Sequence, residues 1–218
     1  MLPGSYFASV SGVALVGAAV VLVAQDGTAY FPPPEDQPSI ICNTSFDPRK
    51  REVAVDEFYA AWFGPHLRTA EEPSLYLASL DPPADRPRTV RVSWIPSFYR
   101  TVFARVEFAV DGSASLHATR LVGLGGYDPE GVDLKMQRPL RPEERDYLVA
   151  LLSDPELAAA PIVTCDLGVD GTQLVLEDRL GRDYRLYNQS SPTDGAVHMA
   201  GLYVLSLTGW DLRSPHDD

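Results

Sequence analysis

The sequence predicts an α+β fold, a mainly antiparallel sheet built from two hairpins and packed with three helices in a single domain. Three observations carry this. Residues 102–110, the dipeptide Asp111-Gly112 and residues 113–121 read as strand, tight turn and return strand, because Asp-Gly admits the positive φ a two-residue turn needs. Residues 173–178 and 182–187 repeat the pattern around Leu180-Gly181. Three further stretches carry apolar residues at helical spacing, and strands and helices do not alternate as β-α-β units would.

The elements follow in order. Residues 1–29 are expected to be a signal peptide or membrane anchor: no charged side chain precedes Asp26, and Val10 to Ala24 is almost wholly Val, Ala, Leu and Gly. That run suits a signal-peptide apolar region better than a span of roughly 20 residues. Gly27-Thr28-Ala29 supplies small residues for cleavage, which predicts a mature start near Tyr30; the missing Lys or Arg ahead of the run departs from the usual pattern. Residues 30–41, with Pro32-Pro33-Pro34 and Pro38, read as an extended linker. The domain is expected over 42–212 and a disordered tail over 213–218.

Within the domain, Val55, Phe58, Tyr59, Trp62 and Phe63 lie on one face of a helix that Gly64-Pro65 is expected to end. Residues 70–88 are broken by prolines, with Leu75, Leu77 and Leu80 as a short packed piece. Thr89 to Trp94 alternates as a strand, ahead of the first hairpin. Gly123, Gly125 and Gly126 then form a loop. Pro142 and Glu143-Glu144 open a second helix, with Tyr147, Leu148, Leu151 and Leu152 inward and Asp154-Pro155 as its stop. A last helix runs from about Ala196 to Leu207, with Gly209 at its C-terminal cap.

Composition narrows the function. Apolar residues make up 45% of the 218, enough for a sizeable core. Thirty acidic against 18 basic residues give a net charge of −12, which argues against a nucleic-acid ligand; the one basic run is Arg49-Lys50-Arg51. In an exported chain Cys42 and Cys165 are expected to form a disulfide, closing a loop of more than 100 residues; in a reducing compartment they would be two core thiols. Two cysteines with no neighbouring histidine make no zinc site, so no metal and no cofactor are expected.

Catalytic signatures are weak. His66, His117, His198 and His216 include no pair at i, i+4 spacing, and no G-x-S-x-G elbow is present. Gly123-Leu124-Gly125-Gly126 does not lead into a helix, as a phosphate loop must. Glu177 is expected to face Arg185 across the second hairpin. Three readings follow: a non-enzymatic exported binding domain whose partner is another envelope protein, a hydrolase with scattered residues such as His117 or His198, or a structural envelope protein held by an uncleaved anchor. Membrane contact is expected only through residues 1–29. The partner patch is expected at Tyr99 and Tyr127, with Phe98 a weaker member. Pro96 must leave the sheet ladder, and the Gly125-Gly126-Tyr127 loop returns to the same end.

Several short segments resemble a group of uncharacterised bacterial exported or lipoprotein-like proteins. They are Glu72-Pro73-Ser74-Leu75, Trp94-Ile95-Pro96-Ser97-Phe98, Gly125-Gly126-Tyr127-Asp128-Pro129, and Asp170-Gly171-Thr172-Gln173 through Glu177, followed by Tyr184 and Ser191-Pro192. The resemblance spans roughly residues 58–207. It implies export and a single unit, and it implies no activity. The chain departs from the group at Gln173 and Leu174, where an aromatic residue is expected.

Overall fold

The computed structural model describes residues 30–43, 48–82, 87–165 and 170–212. The segment expected to direct export and the tail expected to be disordered lie outside these residues. The fold is α+β, as the hairpins predict. Strands β1 (Ser39–Asn43) and β2 (Pro48–Val53) pair as an antiparallel ribbon. A six-stranded antiparallel sheet follows. Strands β3 (Arg88–Pro96), β4 (Val102–Phe108), β5 (Ala114–Val122) and β6 (Gly131–Pro139) form a meander. Strands β7 (Thr172–Leu180) and β8 (Asp183–Ser190) complete it, with β7 returning to pair with β3 in the order β6-β5-β4-β3-β7-β8. Gly112 and Gly181, at φ +83° and +60°, occupy the two hairpin turns.

Five helices are present among the described residues, against three expected: α1 (Glu57–Thr69), α2 (Leu75–Leu80), α3 (Pro142–Leu152), α4 (Pro155–Ala159) and α5 (Ala196–Ser206). The additions are short pieces with their own caps. The Ser74 hydroxyl accepts the Leu77 N–H at 3.0 Å, and Asp154 accepts the Glu156 N–H at 2.8 Å, so the residue that stops α3 also starts α4. Even-numbered residues of β3, β4 and β7, such as Val90, Ala104 and Leu176, pack with α3, α4 and α5. Odd-numbered ones, such as Ile95, Phe103 and Val175, pack with α1. The sheet is therefore covered on both faces, although the alternation of β3 alone would suit a strand with one wet face.

Three further expectations are corrected. Residues 30–41 are not a free linker. Phe31 is buried against Phe63, and the Gln37 side chain donates to the Val55 carbonyl at 2.6 Å and accepts its N–H at 3.0 Å, acting as one rung of a strand pair. Helix α1 does not stop at Gly64-Pro65 but carries Pro65 in its interior. Much of the clash that bars helix before proline involves the preceding Cβ, which Gly64 lacks. Strand β6 adds to the sheet expected from two hairpins, in a stretch for which the sequence pattern predicts no element. Its Val132, Leu134 and Met136 alternate, but the strand lies at the sheet edge, so its apolar members stay partly exposed and its charges are tied to neighbours. Asp133, for example, accepts from Arg100 and Arg120 at 2.6 Å each.

Cys42 on β1 and Cys165 ahead of β7 form a disulfide, with Cα atoms 5.4 Å apart. Such a bond fits an oxidising, exported compartment. No helix among the described residues is long and apolar enough to cross a membrane.

Candidate functional site

The β3–β4 connection and the loop after β5 meet at one end of the sheet. Pro96 closes the β3 ladder, and the chain turns through Ser97, Phe98 and Tyr99. The Gly125 N–H donates to the Tyr99 carbonyl at 2.8 Å and the Gly126 N–H to the Ser97 carbonyl at 3.3 Å. A Cβ on Gly125 would stand 2.5 Å from the Pro96 carbonyl oxygen, so only glycine lets the two backbones approach. These glycines serve backbone contact. The start of β7 joins the same corner, since the Ser97 N–H donates to the Gly171 carbonyl at 2.8 Å.

The side chains released here are aromatic and wet. Phe98 is 55% exposed, Tyr127 66% and Tyr99 37%, so the three residues expected in a patch are exposed on loops hydrogen-bonded to each other. Helix α1 supplies the facing wall. The Trp62 indole N–H donates to the Gly125 carbonyl at 2.7 Å, which fixes the helix against the glycine loop. Phe58, expected on the core face, is instead 68% exposed, and Tyr59 and Trp62 are half-buried beside it. Five apolar residues between Val55 and Phe63 spread over more than one helix face, and Phe63 alone of the four rings turns fully inward. Phe58, Tyr59, Trp62, Phe98 and Tyr127, with Asp170, line an open groove of about 530 Å³. Tyr99 is not part of its lining.

His66 supports this corner from below. It is buried, and its Nδ1 lies 3.1 Å from the Trp62 carbonyl, which makes Nδ1 the protonated nitrogen. Burial holds its pKa below the ordinary histidine value, with the Trp62 and Tyr127 carbonyls and Asp128 pulling the other way. A group with a lowered folded pKa binds protons more readily when unfolded. The stability it confers is full above about pH 6.5 and is lost as pH falls below that. Thermal melts should therefore show His66→Phe abolishing part of the wild-type loss of stability between about pH 7 and 5. Identical pH slopes for the two proteins would sink this assignment.

A second constellation lies under α1 and α2, in one row across the sheet. Arg91 on β3 stands in register with Glu177 on β7 and Arg105 on β4, and Arg105 in turn with His117 on β5. Arg91 and Glu177 are fully buried and paired at 2.6 Å. Glu177 is therefore in a cross-strand ion pair, but with Arg91 and not Arg185, which stands opposite Asp178. Glu72 accepts from Arg105 at 2.9 Å and lies 3.6 Å from Arg91, and the Pro73 carbonyl accepts from Arg91 at 2.6 Å. Burial opposes the Arg91 charge, yet Glu177 and Glu72 outweigh it and hold its pKa above the ordinary value. Burial, then Glu177, pushes the Tyr184 phenol well up, so its O–H stays protonated and donates to Glu177 at 2.8 Å.

The histidines expected as catalytic candidates stand apart. His117 Nε2 lies 3.2 Å from the Ser115 hydroxyl and 3.6 Å from Glu107. His198 lies on α5, and its Nδ1 has no hydrogen-bond partner among the described residues. His216 is outside those residues. No group of three or more His, Cys, Asp or Glu among the described residues is placed to hold a metal ion.

Residues far apart in the chain converge on these two places. Ser97, Gly126 and Gly171 are hydrogen-bonded at the groove, where the Thr172 N–H also donates to the Ser191 hydroxyl at 3.1 Å. Glu72, Glu177 and Tyr184 meet in the buried row. No protein-family model matches the chain, and no curated protein matches it.

Proposed function

We propose that the protein is a non-enzymatic exported binding domain, a single unit whose partner is another protein of the cell envelope and docks at the aromatic groove. The observation that carries this reading is the convergence of five rings from α1, the β3–β4 turn and the glycine loop on one open groove, three of them more than half exposed. Exposed rings clustered on a hydrogen-bonded frame are poor for solubility and good as anchors, because they bury much area with few rotatable bonds. The Cys42–Cys165 bond supports the compartment.

A photo-crosslinking side chain placed at Tyr127 should trap a partner in the native envelope. The same group at Asp183, at the start of β8 and so at the opposite end of β7, should not, and Phe98→Ala should weaken the Tyr127 product. Equal products from both positions, or none from Tyr127, would overturn the reading.

The hydrolase reading rests on the Ser115, His117 and Glu107 cluster. Ser115 and Glu107 both approach the same ring nitrogen, Nε2, whereas a triad needs the acid on the other nitrogen to orient the base. Glu107 is also ion-paired with Arg105. This geometry favours the binding reading.

A further inference from the structure

The groove is rich in π-faces, and its indole N–H and the backbone N–H groups of Ser97, Gly126 and Gly171 are committed within the protein, which leaves the Tyr59 and Tyr127 hydroxyls as donors. Asp170 is the one charged residue among its described lining, which includes no Lys or Arg. The Trp62 indole N–H is taken by Gly125, the Ser97 N–H by Gly171 and the Gly126 N–H by Ser97. The Gly171 N–H points to the Ser97 hydroxyl at 3.3 Å, and the Gln173 amide nitrogen to Ser190 at 3.4 Å. What faces the solvent is chiefly ring surface and a carboxylate. Burial and then Asp56 hold the Tyr59 phenol above its ordinary pKa, so that ring stays neutral.

Ligand classes sort on this chemistry. An anion meets a carboxylate within a chain of net charge −12. A proline-rich strand presents carbonyl oxygens, for which only the tyrosine hydroxyls remain as donors, and it leaves the Asp170 carboxylate without a counter-charge. A cation needs ring faces, whose quadrupole attracts it, and a counter-charge. The groove is too large for one ammonium ion and admits several side chains. Of the two basic side chains, arginine suits it better, because the planar guanidinium stacks on rings and is more weakly hydrated than an ammonium.

We propose that the groove takes a basic segment of the partner protein, with an arginine guanidinium laid on the exposed rings and paired with Asp170. This rests on the binding reading above and adds the chemistry of the partner.

The test is titration of the full chain with a blocked tetra-arginine peptide at physiological ionic strength, where exposed charges act over only about 8 Å. Binding is followed by the Trp62 indole N–H resonance, assigned with Trp62→Phe. Saturable binding that shifts this resonance is expected, with tetra-lysine weaker and tetra-glutamate silent. The double variant Phe98→Ala/Tyr127→Ala keeps the net charge and should bind about tenfold more weakly. Asp170→Asn should bind a few-fold more weakly. Circular dichroism and melting temperature confirm that both variants fold. Undiminished affinity in the double variant would mean attraction to the acidic chain as a whole and would overturn the proposal. Absence of peptide binding would overturn it too. If crosslinking at Tyr127 still trapped a partner, the binding reading would stand and only the basic character of that partner would fall.

Discussion

Replacing Glu177 by glutamine is expected to destabilise the protein by about 3–5 kcal/mol, the cost of stranding one member of a buried ion pair. Arg91 is fully enclosed. Its remaining acceptors, the Pro73 carbonyl at 2.6 Å and Glu72 at 3.6 Å, do not replace a carboxylate held at 2.6 Å. The reciprocal change Arg91→Met strands Glu177 and should cost a similar amount. The pair is worth far less than either loss implies, because two charges were desolvated to make it. Arg91→Met combined with Glu177→Leu should therefore recover much of the stability. Tyr184→Phe removes one hydrogen bond to Glu177 and should cost about 1–3 kcal/mol. Urea unfolding of the four variants measures this. A loss below about 1 kcal/mol for Glu177→Gln would show that water reaches the pair. The effect extends to function. Arg91 holds the α1–α2 corner through Pro73 and Glu72, and α1 carries Phe58, Tyr59 and Trp62 to the groove. The single variants should lose groove binding along with stability.

The fold was legible wherever a local constraint decided it. Gly112 and Gly181 supply the positive φ their turns need and the hairpins follow, although the first connection runs over residues 109–113, with Phe108 opposite Ala114, and is not the two-residue turn expected at Asp111-Gly112. The loop half of the groove was legible for the same reason: Pro96 has no N–H to continue a ladder, and Gly125-Gly126 marks a close backbone approach. Where long-range packing decided, sequence pattern fell short. The partner of Glu177 depends on which strand flanks β7, and that strand, β3, is paired across more than 80 residues of chain. The rings of α1 look like core at helical spacing, yet they spread over more than one face, so that Phe58 is exposed while Trp62 bonds to Gly125 across 63 residues of chain. The Pro-rich start looks like a linker because proline-rich chain is often extended, yet Phe31 and Gln37 find partners that local composition does not reveal.

Reduction of the Cys42–Cys165 bond is expected to produce the other large loss of stability. The two residues are 123 positions apart, so the bond removes much of the freedom of the unfolded chain. Loop closure alone gives about 4–5 kcal/mol as an upper estimate. The folded state also depends on it locally. The β1–β2 ribbon pairs with itself and not with the main sheet, and Ile41, Arg49 and Lys50 on it face solvent. The disulfide links this ribbon to the segment that runs beside β8, where the Asn188 N–H donates to the Ile162 carbonyl at 2.8 Å and the Ser190 N–H to the Thr164 hydroxyl at 2.8 Å. Cys42→Ser/Cys165→Ser should therefore melt well below the oxidised protein, and amides of residues 39–43 and 48–53 should exchange faster than those of β3 or β7. Phe31 and Gln37 should keep the segment before the ribbon docked, so protection of the Val55 N–H, held by Gln37 at 3.0 Å, should survive longer than that of the ribbon. Equal melting temperatures together with unchanged ribbon exchange, with and without a reductant, would show that neither chain entropy nor the tether to the β8 edge stabilises this fold. Loss of ribbon protection without a change in melting would leave the tether and remove the entropy.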